Sequence, residues 1–205
     1  MVATTRKAPE TQQRRKRSSG LPALSVGGRT EEQGASPSSG TPSSEYVWAM
    51  LKLNGVELPA NPPSSVVALY KTLKKHSKID YSSKPVPGDV VFFHNTEDQN
   101  SDGRNNDWYT AVGVVTAVDA DNTATVSIYR QNRVNAIHLN LERPDVSTDG
   151  DRTLNSALRQ PGTNDAPHTQ YYSGQLFAGF SRTMDDRHDM VMVANWKPGM
   201  SLTKP

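Results

Sequence analysis

Two stretches decide the fold: residues 85–95, which read PVPGDVVFFHN, and residues 109–118, which read YTAVGVVTAV. The first is a Pro/Gly turn followed by an apolar run, which predicts a strand from Asp89 to His94. The second predicts another strand, and residues 123–131 (TATVSIYRQ) predict a third. The tetrapeptide DADN between the last two is typical of a hairpin turn. We therefore expect an antiparallel set of strands.

A helix is predicted on the N-terminal side of these strands. The sequence SSEYVWAMLKLNG begins with Ser43 and Ser44, either of which is a good N-terminal cap, and ends with Asn54-Gly55, a common helix stop. The residues expected on its buried face are Tyr46, Val47, Met50, Leu51 and Leu53.

A second helix is predicted from about Ser64 to His76. The spacing i, i+3, i+4, i+7 places one apolar stripe on it, formed by Val66, Leu69, Tyr70 and Leu73.

The C-terminal part is predicted to complete the sheet. Residues 134–141 (VNAIHLNL) and 175–181 (QLFAGFS) read as strands, and a short helical segment is expected near Arg152–Arg159. Helices come first and antiparallel strands follow, which is the order of an α+β fold. We expect N-terminal helices packed on an antiparallel sheet.

The composition divides the chain into three parts. Of 205 residues, 34% are hydrophobic, below the about 45–50% of an average globular domain. Residues 1–42 lack aromatic residues and are predicted to be a disordered basic arm. Residues 43–181 are the predicted domain, and residues 182–205 a tail that packs on it. The apolar residues expected to anchor this tail are Met190, Val191, Met192, Val193 and Trp196.

Charge is unevenly distributed. Residues 1–44 hold seven basic and three acidic residues, whereas the rest of the chain holds 16 and 18. The charge of the folded domain therefore disfavours nucleic-acid binding. The arm contains a cluster that is either solvated or contacts an anionic partner or assembly, namely Arg14, Arg15, Lys16 and Arg17.

Several function classes are excluded or disfavoured by the sequence. No apolar run is long enough to span a membrane. No apolar segment of a conventional signal peptide follows the basic cluster, so a cytoplasmic location or non-classical export is expected. The chain has no cysteine, which removes disulfides, thiolate metal sites and any cysteine nucleophile.

The sequence DQNSDGRNND resembles the first half of a calcium loop. Asp98, Asn100 and Asp102 alternate before Gly103, which matches D-x-[DN]-x-[DN]-G. Oxygen ligands at every second residue converge on one ion, and the glycine permits the sharp turn. The further expected ligands are the carbonyl of Arg104 and the carboxylate of Asp107. The twelfth position holds Tyr109 instead of the bidentate Glu of an EF-hand, so calcium binding is expected to be weak.

A looser version of this pattern recurs at Asp145, Ser147, Asp149 and Gly150, where a plain turn is the simpler interpretation.

The order of these segments resembles the NlpC-type and CHAP-type papain-like domains. The resemblance covers roughly residues 42–181 and is most specific in the P-G-D-V-V-F-F and T-x-V-G-V-V strands. It implies a papain-like fold and a cysteine peptidase or amidase acting on bacterial peptidoglycan stem peptides. In such domains a motif like D-C-S-G-[FY]-V places the nucleophile at a helix N-terminus. A motif like T-H-V-G-I-V supplies the base, and a polar residue on the next strand orients it.

The resemblance implies a degenerate catalytic site in this chain. Ser43 stands at the position of the nucleophilic cysteine, Ala111 at that of the base and Tyr129 near the orienting residue. A serine hydroxyl needs a base to become nucleophilic at neutral pH, and alanine offers none. We therefore interpret the chain as a pseudoenzyme.

Three functions remain open from the sequence. The first is a non-catalytic domain that binds a cell-wall peptide or a protein partner through the old cleft. Aromatic residues expected to line that cleft are Tyr46, Trp48, Trp108 and Tyr109. The second is an active peptidoglycan hydrolase that uses other residues, such as Ser43 with His94. The third is a structural component of a particle or secretion assembly, docked through the basic arm.

Overall fold

A computed structural model describes residues 41–82, 84–184, 189–200 and 202. The predicted basic arm, including Arg14–Arg17, lies outside these residues except for its last two positions. The described residues all belong to one compact unit.

Two helices precede a six-stranded antiparallel sheet, so the predicted α+β class is confirmed. The sheet has the order β1-β8-β2-β3-β4-β5, and β6 and β7 form a separate hairpin. The helices are α1 (Pro42–Leu53) and α2 (Val66–His76). The strands are β1 (Ile79–Asp80), β2 (Val90–Phe93), β3 (Ala111–Val118), β4 (Ala124–Arg130), β5 (Arg133–Leu139), β6 (Thr148–Asp149), β7 (Arg152–Thr153) and β8 (Phe177–Ser181).

Helix α1 begins earlier than the sequence predicts. Thr41 is the N-cap and Pro42 the first helical residue, so Ser43 and Ser44 lie inside the helix and neither caps it. Proline suits the first helical position because its fixed φ is helical and its missing N–H has no acceptor there. The Ser44 hydroxyl donates to the Thr41 carbonyl at 2.8 Å. The predicted stop is confirmed, since Asn54 is the C-cap.

The predicted buried faces of both helices are confirmed, because every residue expected on them is buried. Helix α2 is capped by Ser65, whose hydroxyl accepts from the N–H of Ala68 at 3.1 Å.

The sheet has an apolar layer on each face. Because side chains alternate along a strand, Phe92 and Val112 face the helices, while Val91 and Phe93 face the other way. That second face is covered by Leu158 from a loop segment. The helices and the loop thus bury the sheet from both sides.

The helical segment predicted near Arg152–Arg159 is wrong. Arg152–Thr153 pairs with β6 across a turn at Gly150, whose φ is +58°. The N–H of Ser156 then donates to the carbonyl of His138 at 3.1 Å, and that of Leu158 to Tyr171 at 2.8 Å. Because these donors are bound to distant carbonyls, they are not available for i→i−4 helical hydrogen bonds.

The C-terminal residues return to the helix side of the sheet. Trp196 is buried, with its ring 5.5 Å from that of Tyr46 and 5.0 Å from that of Tyr129. The side chain of Asn54 accepts from the N–H of Val191 at 2.8 Å and donates to its carbonyl at 2.9 Å. This segment therefore forms part of the core beneath α1.

Within the described residues, no helix combines the length and the apolar character that crossing a bilayer requires.

Candidate functional site

Ser43, Ala111 and Tyr129 line one cleft, although they come from α1, β3 and β4. Its volume is about 450 Å³. Ser43 is the second residue of α1, and Ala111 is the first residue of β3. The N-terminus of the helix therefore opens onto the sheet at this point. The lining residues are Thr41, Pro42, Ser43, Ser65, Val66, Val67, Thr96, Glu97, Gln99, Tyr109, Thr110, Ala111, Tyr129, Arg130, Gln131 and Asn132.

One wall of this cleft is the turn between β4 and β5. Gln131 and Asn132 both have positive φ, 52° and 60°, and they connect the paired residues Arg130 and Arg133. A two-residue turn with both central φ values positive has a backbone twist that matches the twist of the flanking strands, so the conformation of this turn is well defined. The two amide side chains therefore stand on a defined edge of the cleft.

A second cleft, of about 380 Å³, adjoins the first. Thr96, Glu97 and Arg130 line both clefts, so the two form one continuous depression. Arg159 and Asp165 line the second cleft and not the first.

Arg130 is the cation at the junction of the two clefts. Its Nη1 donates to the carbonyl of Leu158 at 2.5 Å, which fixes the guanidinium. Burial lowers the pKa of Arg130, and the negative charge of Glu97 opposes that shift. The side chain keeps further donors for a ligand, because a guanidinium carries five N–H groups.

Arg159 is a structural cation. Its side chain is 2% exposed, and its Nη2 donates to Asp165 Oδ1 at 2.5 Å. Its Nη1 donates to the carbonyl of Asn95 at 3.1 Å. This buried pair ties the loop that carries Asp165 to the end of β2.

Arg130, Glu97 and Arg159 were not among the site residues predicted from the sequence. Arg130 ends a strand that was predicted correctly. An arginine at a strand end beside a predicted cleft could have been identified from the sequence as a candidate cleft residue. Glu97 and Arg159 come from loops, and only the fold brings them together.

The described residues that line the first cleft include no histidine. His94 lies outside the lining, and its Nδ1 accepts the N–H of Tyr109 at 2.9 Å. Burial lowers the pKa of His94. The pairing of Ser43 with His94 considered from the sequence therefore finds no support in the geometry.

The four aromatic residues expected in the cleft divide into three groups. Tyr46 and Trp48 are 0% and 4% exposed and belong to the hydrophobic core instead of the cleft. Trp108 is 65% exposed and contacts the His94 ring edge-to-face, outside the cleft lining. Tyr109 alone of the four lines the cleft, with its ring stacked on that of Tyr70 at 4.0 Å.

Comparison with protein-family models, curated proteins and solved structures found no match for this chain. Its function is therefore inferred from the chemistry of the cleft.

The acidic loop adjoins the clefts. Asp98 accepts the N–H groups of Asp102 at 3.2 Å and Gly103 at 2.7 Å, so its carboxylate closes the loop. Asp102 accepts from the Asn106 side chain at 3.0 Å and from the N–H of Arg104 at 2.8 Å, and these bonds lower its pKa.

In the part of the chain that the structure describes, no three Asp, Glu or His side chains lie close enough together to bind a metal ion as they stand. The looser acidic pattern at Asp145–Gly150 ends in the β6–β7 hairpin, where Asp149 pairs with Arg143 at 2.8 Å.

Proposed function

We propose that this chain carries a papain-like domain of the NlpC/CHAP type that binds peptide without catalysis. The observation that carries the proposal is the convergence of Ser43, Ala111 and Tyr129 in one cleft whose described lining includes no histidine. These are the positions at which the resemblance expects a nucleophile, a base and an orienting residue. In this proposal the cleft of the ancestral active site is retained as a binding surface, while the residues that catalysis requires have been replaced.

The lack of a base at position 111, where the resemblance expects one, argues against turnover at Ser43. A serine hydroxyl becomes an effective nucleophile when an adjacent base removes its proton. Ala111 has no such group. Tyr109 is the lining tyrosine closest in sequence to Ala111, and burial raises its pKa. A neutral phenol with a raised pKa is a poor base at neutral pH.

The charges in the cleft favour a peptide that carries both a carboxylate and an amine. Arg130 pairs naturally with a carboxylate, and the neighbouring Glu97 with an ammonium group. Peptidoglycan stem peptides carry both groups, and so do peptide segments of many proteins. Hydroxyl and amide side chains around the cleft supply partners for a peptide backbone, among them Ser65, Thr110, Gln131 and Asn132.

We propose the cell-wall stem peptide as the ligand to test first. The alternative function, docking into an assembly through the basic arm, concerns Arg14–Arg17, which lie outside the described residues.

The test is a calorimetric titration of the full chain with soluble muropeptides. We expect saturable binding that Arg130→Gln weakens by tenfold or more, the loss of one charged contact of about 1.5–3 kcal/mol. Arg133→Gln is the matched control, because Arg133 lies on the same hairpin, is exposed and is absent from the lining. Ser43→Ala should bind as the unmodified chain does, and Ser43→Tyr, which fills the cleft, should not bind.

Equal weakening by Arg130→Gln and Arg133→Gln would contradict binding in the cleft. Binding of an unrelated acidic peptide, with no binding of muropeptides, would move the proposal from the cell wall to a protein partner.

A further inference from the structure

The acidic loop contains a buried carboxylate that the fold leaves incompletely satisfied. Asp107 is 8% exposed, and its Oδ2 has no hydrogen-bond partner among the described residues. Its backbone is fixed from both sides, because its N–H donates to Asn95 Oδ1 at 2.8 Å and its carbonyl accepts from the N–H of Asn95 at 2.8 Å. The position of this carboxylate is therefore set by the end of β2.

Asp98 and Asp102, two other acids of the same loop, are close enough for their negative charges to act on the Asp107 carboxylate. Burial raises its pKa, the nearby N–H of Gln99 opposes that shift, and the charges of Asp98 and Asp102 raise it further. The positive charge of Arg159 opposes this shift, but Arg159 already pairs with Asp165. A buried carboxylate with negative neighbours is costly unless a cation joins it.

The remaining loop residues carry further oxygen atoms that could bind such a cation. The Asp98 carboxylate bonds the N–H groups of Asp102 and Gly103, and a carboxylate has about four acceptor directions, so it keeps some for a metal. Gly103 has a φ of +73°, and a Cβ there would collide with the carbonyl of Asn164. The sharp turn is thus locked in place by the neighbouring loop.

We propose that Asp98, Asp102 and Asp107 bind one calcium ion, together with the side-chain oxygen of Asn100 and the carbonyl of Arg104. Oxygen ligands in an irregular loop suit Ca²⁺, which accepts six to eight ligands in flexible geometry, better than Mg²⁺, which requires a near-ideal octahedron. The three carboxylates repel one another without the ion, and the exposed Asp102 side chain must rotate from Asn106 toward Asp107 to complete the site. Tyr109 stands where an EF-hand has a bidentate Glu, so the expected dissociation constant is on the order of 10⁻⁴–10⁻³ M.

The experiment combines thermal melting and calorimetry on the full chain, with CaCl₂ and MgCl₂ as probes. Millimolar calcium should raise the melting temperature by mass action, and magnesium should reproduce little of the rise. The double change Asp98→Ala, Asp102→Ala should abolish the calcium effect. Asp145→Asn is the matched control, an exposed acid of the looser Asp-rich stretch, and it should leave the effect unchanged.

Asp107→Asn separates a metal ligand from a merely structural acid. Without calcium this variant should melt at the same or a higher temperature, because a buried negative charge is removed. Its affinity for calcium should fall by tenfold or more. In millimolar calcium, Asp107→Asn should therefore melt at a lower temperature than the unmodified chain. The proposal is overturned if calcium gives no heat and no change in melting temperature. It is also overturned if Asp107→Asn binds calcium as tightly as the unmodified chain.

Discussion

The phenolic oxygen of Tyr46 lies 2.7 Å from the hydroxyl oxygen of Ser127, and the two groups share a hydrogen bond between α1 and β4. Tyr46 is fully buried, and burial raises its pKa to about 12, while the bond to Ser127 opposes the shift. This contact fixes the N-terminal turns of α1 on the sheet two residues from Tyr129. The geometry of the cleft between the start of α1 and the end of β4 therefore depends on this hydrogen bond.

Tyr46→Phe should lower the free energy of unfolding by about 1 kcal/mol, the usual net contribution of one hydrogen bond. The ring remains, so its packing on Trp196 is retained. Chemical denaturation measures the change. Ser127→Ala and the double variant complete a mutant cycle, and additive effects in that cycle would contradict a direct coupling between the two hydroxyls.

Trp196→Ala should lower the free energy of unfolding by about 3–5 kcal/mol, because a large buried side chain is replaced by a cavity. Its ring packs against the rings of both Tyr46 and Tyr129 under α1. Val191→Ala is the control, since Val191 is 45% exposed and its bonds to Asn54 use only its backbone. Similar small losses in the two variants would show that the C-terminal segment contributes little to the core.

Acidification should destabilise the domain through His94. Burial lowers the pKa of His94 from its ordinary 6.5, so the unfolded chain binds the proton more readily than the folded one. The stability that this histidine contributes is therefore full above pH 6.5 and is lost as the pH falls through its lower folded pKa. Protonation also removes the Nδ1 acceptor of the Tyr109 N–H.

The variant His94→Asn tests this dependence, because its side-chain oxygen can accept the same N–H and does not titrate. Between pH 6.5 and 5 its melting temperature should vary less than that of the unmodified chain. His76→Asn, which changes an exposed histidine of α2, should keep the original pH profile. A profile that His94→Asn leaves unchanged would assign the acid sensitivity to other groups.

The sequence predicted those parts of the fold whose apolar pattern has one clear period. The stripe of Val66, Leu69 and Leu73 and the strand of Val90–Phe93 both lie where expected. The segment 152–159 failed because its conformation is set by hydrogen bonds to His138 and Tyr171, which are distant in sequence.

The candidate site was predicted only where a local motif marked it. Ser43 and Ala111 were singled out because the resemblance to NlpC-type and CHAP-type motifs assigns catalytic positions to them, and they do line one cleft. Tyr46 and Trp48 were expected in that cleft and are buried, because an aromatic residue on an amphipathic helix has the same local pattern in a core or at a binding surface. Glu97 and Arg130 meet only after β2 and β4 are placed in the sheet.

The most direct test of a peptide-binding domain without catalysis is mass spectrometry of muropeptides incubated with the immobilised full chain. We predict that muropeptides are retained with unchanged mass, that Arg130→Gln retains far less, and that Ser43→Ala behaves as the unmodified chain. Cleavage products that appear with the unmodified chain and disappear with Ser43→Ala would contradict the account, and so would a failure to retain any peptide.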